Sequence, residues 1–130
     1  MIVVDASALA AALLTEAGAD AVTHRLFADD ADLHAPHLID LEIASILRKL
    51  TSRGLIGPNR AELALEDFQR LELTRYPHAL LLPRVWALRD NLTPYDAAYI
   101  ALAELLDTPL VTRDRRLAEA PGHQVEVEVF

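Results

Sequence analysis

The stretch Asn91-Leu92-Thr93-Pro94-Tyr95-Asp96-Ala97-Ala98-Tyr99-Ile100-Ala101-Leu102-Ala103-Glu104 reads as a helix start written out in full. Thr93 suits the N-cap, Pro94 suits the first helical position where its missing N–H is not needed, and Asp96 falls at N3. From Ala97 to Leu106 almost every residue is a good helix former or aliphatic. A helix of that composition is predicted to be buried on most faces rather than amphipathic. Asp96 admits two readings: a capping carboxylate at the positive end of the helix dipole, or a metal ligand held rigidly at a helix N-terminus. This stretch alone does not choose between them.

Working outward, the chain opens Met1-Ile2-Val3-Val4-Asp5-Ala6-Ser7. A short continuous β-branched run reads as a strand buried on both faces, as in a parallel sheet. It ends in Asp5, and a helix from about Ser7 to Leu14 follows. In open α/β sheets ligands bind beyond the carboxyl ends of strands, and Asp5 sits at such an end. Gly18 breaks the pattern before a second helix over 19–28. Asp29-Asp30-Ala31-Asp32 reads as a solvated turn, and Leu33-His34-Ala35 as a short strand ahead of Pro36.

A helix is predicted over 37–51, apolar on nearly every side, with Asp40 and Glu42 within it. Two residues apart on a helix means about 200° apart around the axis, so the two acids cannot serve one site equally well. Glu42 shares its face with Leu38, Ser45 and Ile46, where a carboxylate is either desolvated at some cost or engaged with a cation. Asp40 is assigned to solvent. Gly54 suits a left-handed position closing the helix. Pro58 to Glu62 starts another helix, with Asn59 read as its N-cap. Residues 71–76 form a possible strand ended by Pro77. A helix over 78–90, kinked or restarted at Pro83, is expected to turn Leu80, Leu81, Val85, Trp86 and Leu88 inward, although Leu80-Leu81-Leu82 and Trp86 could also be surplus apolar surface. After the central helix come a strand over 108–112, a helical turn from Asp114 to Glu119, and an alternating edge strand over 125–130. The order is β-α-α-β-α-α-β-α-α-β-β. It predicts an α/β domain spanning 1–130, with a short, mainly parallel central sheet flanked by helices on both sides.

Composition narrows the function. Hydrophobic residues make up 52% and charged residues 25% of 130, a globular balance with room for one core. No apolar run is long enough to span a bilayer and no basic leader precedes the first strand, so a cytoplasmic protein with no membrane contact is expected. Without cysteine, disulfides, zinc–thiolate sites and thiol nucleophiles are excluded. A net charge of −8 argues against nucleic-acid binding by bulk electrostatics. His34 and His37 lie three apart, but no further His or Cys completes a transition-metal set.

Four acids hold comparable topological places: Asp5 after the first strand, Glu42 in a buried helix, Asp96 at a helix start, and Asp114 just beyond the strand ending at Thr112. Two carboxylates ~5 Å apart at an effective dielectric of ~20 repel by about 3 kcal/mol. Four together are not explained by stability alone, whereas divalent cations with hard oxygen ligands explain them. A phosphoaspartyl phosphatase also places Asp at the end of a first strand. It needs a second acid two residues on, where this chain has Ser7, and a late strand-end lysine, where the lone lysine is Lys49 in mid-helix.

The segments Ile2 to Ser7, Pro36 to Ala44, Leu92 to Ala103 and Val111 to Leu117 resemble, in order and spacing, the motifs of PIN-domain ribonucleases. Among these the chain looks most like VapC toxins of bacterial VapBC toxin–antitoxin pairs. The resemblance implies a PIN-like three-layer fold and an acidic Mg²⁺ or Mn²⁺ site of Asp5, Glu42, Asp96 and Asp114, with Asp5 and Asp96 as principal ligands. It implies that Ser7 and Thr112 orient ligands or water beside the acids, and that RNA is cleaved to 5′-phosphate and 3′-hydroxyl ends. It further implies a VapB-type antitoxin partner; a homodimer is expected from the surplus apolar surface at Leu80-Leu81-Leu82 and Trp86, which a bound helix could equally cover. Arg113, Arg115 and Arg116 are candidate contacts to RNA phosphates. A non-cleaving PIN-like binding or assembly module is the alternative.

Overall fold

Strand β1 (Ile2–Val4) is flanked on both edges by parallel partners, and its three side chains are all buried. In the computed structural model, which describes residues 1–130, β2 (Leu33–Pro36), β3 (Leu73–Tyr76), β4 (Leu110–Thr112) and β5 (Val127–Val129) complete a sheet in the order β3-β2-β1-β4-β5. Every pairing is parallel, so all five carboxyl ends lie at one edge of the molecule. The order reverses direction at β1, where the chain leaves for β2 on one side and later returns as β4 on the other. That switch point is where open parallel sheets leave a crevice.

Helices α1 (Ala6–Leu13), α2 (Asp20–Leu26), α3 (Ile39–Ser52) and α4 (Pro58–Arg70) supply one layer. Helices α5 (Leu82–Ala87), α6 (Pro94–Leu106) and α7 (Arg115–Glu119) supply the other. Successive strand residues point to opposite faces, and the core divides accordingly. Ile2 and Val4 pack with α1 to α4, while Val3 packs with α5, α6 and α7. The result is the three-layer α/β arrangement expected from the element order. Each fully buried Ile or Leu in these two clusters contributes about 1.5–3 kcal/mol against the entropy of ordering it.

Helix α6 is the central packing element of the second layer. Ala97 through Ala103 are all buried without a break, which only a helix covered on most of its circumference can achieve. Thr93 is its N-cap, with Oγ1 accepting the Asp96 N–H at 3.3 Å. Gly54 has φ +71°, the left-handed geometry anticipated where α3 ends.

Three local expectations are corrected. Helix α4 begins at Pro58 with Gly57 as N-cap, so Asn59 lies inside the first turn and caps nothing. Proline at N1 brings its own fixed φ and has no N–H to satisfy, which lets the helix start two residues earlier. Helix α3 is less apolar on its outer side than its composition suggests, with Leu41 77% exposed and its inward face formed by Ile39, Ile43 and Leu47. The segment 78–90 is a 3₁₀ turn over His78–Leu80 followed by the six-residue α5 with Pro83 in its first turn, so of the two expectations it is the restart and not the kink, and the helix stops at Ala87 instead of 90. That break rotates the face: Leu81, Val85 and Leu88 turn inward, while Leu80 (61% exposed) and Trp86 (67% exposed) turn out with Leu82. Trp86 is covered in part by the Arg89 guanidinium, 4.7 Å from its ring centre. No helix is long and apolar enough to cross a membrane.

Candidate active site

Asp5 is the last residue before α1 and caps that helix. It is 6% exposed. One carboxylate oxygen, Oδ1, accepts from the Ser7 hydroxyl at 2.7 Å and from the Ala8 N–H at 3.0 Å. The other, Oδ2, accepts from the Thr112 hydroxyl. Both hydroxyls are held in turn from behind. Ser7 Oγ accepts the Arg113 N–H at 3.1 Å, and Thr112 Oγ1 accepts the Asp114 N–H at 2.9 Å. Each hydroxyl has a single proton, so a backbone donor on its oxygen leaves that proton to point at Asp5. The loop after β4 is thereby tied to the loop after β1 through two oriented hydroxyls.

Glu42 and Asp96 stand on either side of this centre. Glu42 lies in the first turn of α3 and is half-buried; its Oε1 accepts from the Tyr99 hydroxyl at 2.5 Å. Asp96 is half-buried in the first turn of α6. Asp114 caps α7, accepting the Arg116 N–H at 3.0 Å, and meets the Arg116 guanidinium through Nε at 3.0 Å and Nη2 at 2.5 Å.

Electrostatics ties the four acids into one group. Burial pushes the Asp5 carboxyl up from the ordinary aspartate value, against the pull of Thr112, Ala8 and Ser7, and Asp114 adds to the rise. Burial also raises Glu42; the Tyr99 bond opposes it, while the charges of Asp5 and Asp96 reinforce it. Asp96 is raised by burial and by Asp114, with Arg116 and Thr93 opposing. Asp114 alone is held below its ordinary value, because the Arg116 side chain hydrogen-bonds its charged form.

Three of the four acids therefore carry charge at a cost. The donor set is entirely carboxylate and hydroxyl oxygen, the chemistry that suits Mg²⁺ or Mn²⁺ and not a soft metal. As the side chains lie, no three such groups close to ligating distance of one another. Each of Asp5, Glu42 and Asp114 is instead engaged by an internal donor. Glu42 Oε2 makes no hydrogen bond, and Asp5 Oδ2 accepts only one. Oxygen lone pairs thus remain for a cation.

The other sequence candidates fall as follows. Asp40 is on the outer side of α3, paired with Arg75 at 2.7 Å, away from Glu42. His34 is buried with both ring nitrogens occupied, by Tyr76 at 2.7 Å and Asp32 at 2.8 Å, and holds β2 to β3. Of the three arginines after β4, Arg113 is paired with Glu16 at 2.9 Å and Arg116 with Asp114, leaving Arg115 exposed and without an ion pair. Tyr99 was not singled out in the sequence as a site residue. Its signal was there: a phenol three positions after Asp96, on the same helix side, in an otherwise aliphatic run from Ala97 to Ala103.

Comparison with known proteins agrees with this fold. The PIN domain family model matches residues 2–122. The VapC ribonuclease Mb0985 of Mycobacterium bovis is 47% identical over 129 residues, covering 99% of this chain and 98% of that protein. The crystal structure of PAE2754 from Pyrobaculum aerophilum superposes with a TM-score of 0.70 at 27% identity, over 98% of this chain and 83% of that one. VapBC2 from Rickettsia felis, solved bound to a DNA fragment from its promoter, has the same fold, with a TM-score of 0.71 at 15% identity over 98% of both chains. With family model, overall fold and whole-length identity in agreement, the chain belongs to the PIN-domain family and, within it, to the VapC ribonucleases.

Proposed function

We propose that the chain is the toxin of a type II toxin–antitoxin pair and cleaves RNA phosphodiester bonds at the acidic end of its sheet with the help of a divalent cation. The observation that carries this reading is the convergence of Asp5, Glu42, Asp96 and Asp114 from four separate stretches, three of them with their charged forms disfavoured by burial and by one another. Asp5 and Asp96 would be the principal holders of Mg²⁺ or Mn²⁺, with Glu42 and Asp114 beside them. Such an ion, when bound, activates water and stabilises charge on a phosphodiester in transit. Ser7 and Thr112 keep both oxygens of Asp5 in a fixed plane. Arg115, and Arg116 once it leaves Asp114, supply positive charge for the substrate phosphates at a mouth that otherwise repels RNA.

The partner follows from two surface properties. At −8 the chain attracts a basic segment over distances comparable with the Debye length, ~8 Å at physiological salt. Beside the acids lies an apolar groove of about 260 Å³ lined by Leu38, Leu41, Leu81, Leu82, Val85 and Tyr95. A VapB-type antitoxin that presents a basic side chain to the acids, and a second copy of the chain that covers exposed apolar surface, are the expected partners.

Purified wild-type protein and Asp5→Asn should be compared on RNA with Mg²⁺ or Mn²⁺, and again with EDTA. Cleavage by wild type alone, abolished by chelation, is expected. Cleavage that survives EDTA would sink the metal reading, and an inactive wild type beside intact RNA binding would favour a non-cleaving module.

A further inference from the structure

Helix α6 brings one more polar atom to the acidic end of the sheet than the chemistry above has used. Tyr99 is 2% exposed and packed among Ala98, Leu102 and the rest of the second core cluster. Its hydroxyl reaches out of that core to Oε1 of Glu42, a bond that joins α6 to α3 across 57 positions of sequence. The two helices it joins are the ones that carry Asp96 and Glu42.

The partners differ in rigidity. A glutamate has three side-chain torsions and, half-buried at a helix start, several rotamers that reach water. A tyrosine fixed by packing has none to spare. Its phenol, like that of any tyrosine, keeps its proton at neutral pH and so is always able to donate. The rigid group therefore holds the flexible one, by one oxygen and not the other.

We propose that Tyr99 is a positioning residue of the acidic site, fixing Glu42 through Oε1 so that Oε2 remains free for the cation. The proposal rests on the metal reading given above. Groups that orient metal ligands from behind set affinity as well as geometry, and their loss costs about 10–100-fold. A tyrosine kept only for its bulk would be replaceable by phenylalanine without that loss.

The test measures Mn²⁺ binding to the full-length protein by calorimetry, with no RNA present. Tyr99→Phe should weaken binding about tenfold while the circular dichroism spectrum stays that of the folded chain. In a Glu42→Gln background the same change should have no further effect, because the carboxylate it positions has gone. Replacing Tyr99 with 4-aminophenylalanine restores a donor of the same reach and should recover most of the affinity; this variant decides the matter if Tyr99→Phe fails to fold. Wild-type affinity in Tyr99→Phe, or an equal loss in the Glu42→Gln background, would overturn the proposal and leave the metal site standing. No Mn²⁺ binding by wild type would overturn both.

Discussion

β1 and β4 lie side by side, each runs into an aspartate that caps the helix after it, and the two carboxylates are held in opposite ways. Asp5 is enclosed, accepts from two hydroxyls and a backbone N–H, and resists ionisation because burial outweighs those bonds. Asp114 stands at the rim, is gripped by an exposed arginine two residues on, and ionises more readily than usual. The local sequence pattern, strand then Asp then helix, is the same in both. What separates them is how much protein covers each one and whether the nearest group brings a charge or only a dipole. A charged partner neutralises at low cost near water, while neutral hydroxyls orient a buried charge without cancelling it. Asp5 is accordingly the acid with most to gain from a cation.

Substitution of the two aspartates should expose the contrast most strongly. Asp5→Asn should reduce RNA cleavage on the order of 10²–10³-fold, the usual cost of removing one group that stabilises developing charge. It should also cost about 1–3 kcal/mol of stability, because the new amide faces hydroxyls already committed as donors. Asp114→Asn keeps a competent cap and should fold with almost unchanged stability in urea. Equal destabilisation by the two changes would break the comparison.

The second effect is on pH dependence. Asp5, Glu42 and Asp96 are raised above their ordinary values of 3.8, 4.5 and 3.8, so the folded state binds their protons more tightly than the unfolded chain. The stability they contribute is fully present below those values and is lost as pH rises through the raised ones. Asp114 has the opposite sign: its contribution is present above 3.8 and lost as pH falls through its lowered value. In EDTA, the melting temperature of wild type relative to Asp96→Asn should therefore fall as pH is raised from about 4 toward neutrality. Saturating Mg²⁺ or Mn²⁺ should reverse the fall, by about 2.7 kcal/mol at a hundred times Kd. A wild type that gains on Asp96→Asn as pH rises, with no metal present, would show that Asp96 acts as a cap and not as a repelled ligand.

Arg116→Ala should have the smallest effect. Its side chain is 80% exposed, so thermal melting should not move measurably, and Asp114 should return toward an ordinary carboxyl. RNA binding should weaken evenly across sequences, with the salt slope reduced by about one. A sharp change in sequence preference would mean that Arg116 reads bases instead of phosphates.

Much of this architecture was legible residue by residue. Ile2-Val3-Val4 could only be a strand buried on both sides, and the Thr93-Pro94 start with its apolar continuation could only be a covered helix. The positions of three acids were legible as well, Asp5 and Asp114 just past a strand and Asp96 at a helix start, whereas Glu42, read inside a helix, stands in the first turn of α3. For Leu80 and Trp86 the sequence leaves an inward place and surplus surface both open; the 3₁₀ turn before α5 resets the helical phase and decides for the surface. Asn59 was misread because a good cap residue beside a good N1 residue leaves two possible starts, and backbone geometry chose the earlier one.

The sequence by itself determined where most of the strands and helices lie and that Asp5 and Asp114 stand just past strand ends. Those properties depend on spacing within ten or so residues. Only the tertiary structure decided the order β3-β2-β1-β4-β5, the bond from Thr112 to Asp5 across 107 positions, and the bond from Tyr99 to Glu42 across 57. It also decided that Asp114 has a cation of its own while Asp5 has none. The physical reason is that the energy of a carboxylate depends on burial and on donors brought in from distant parts of the chain, and neither exists until the layers close around the sheet.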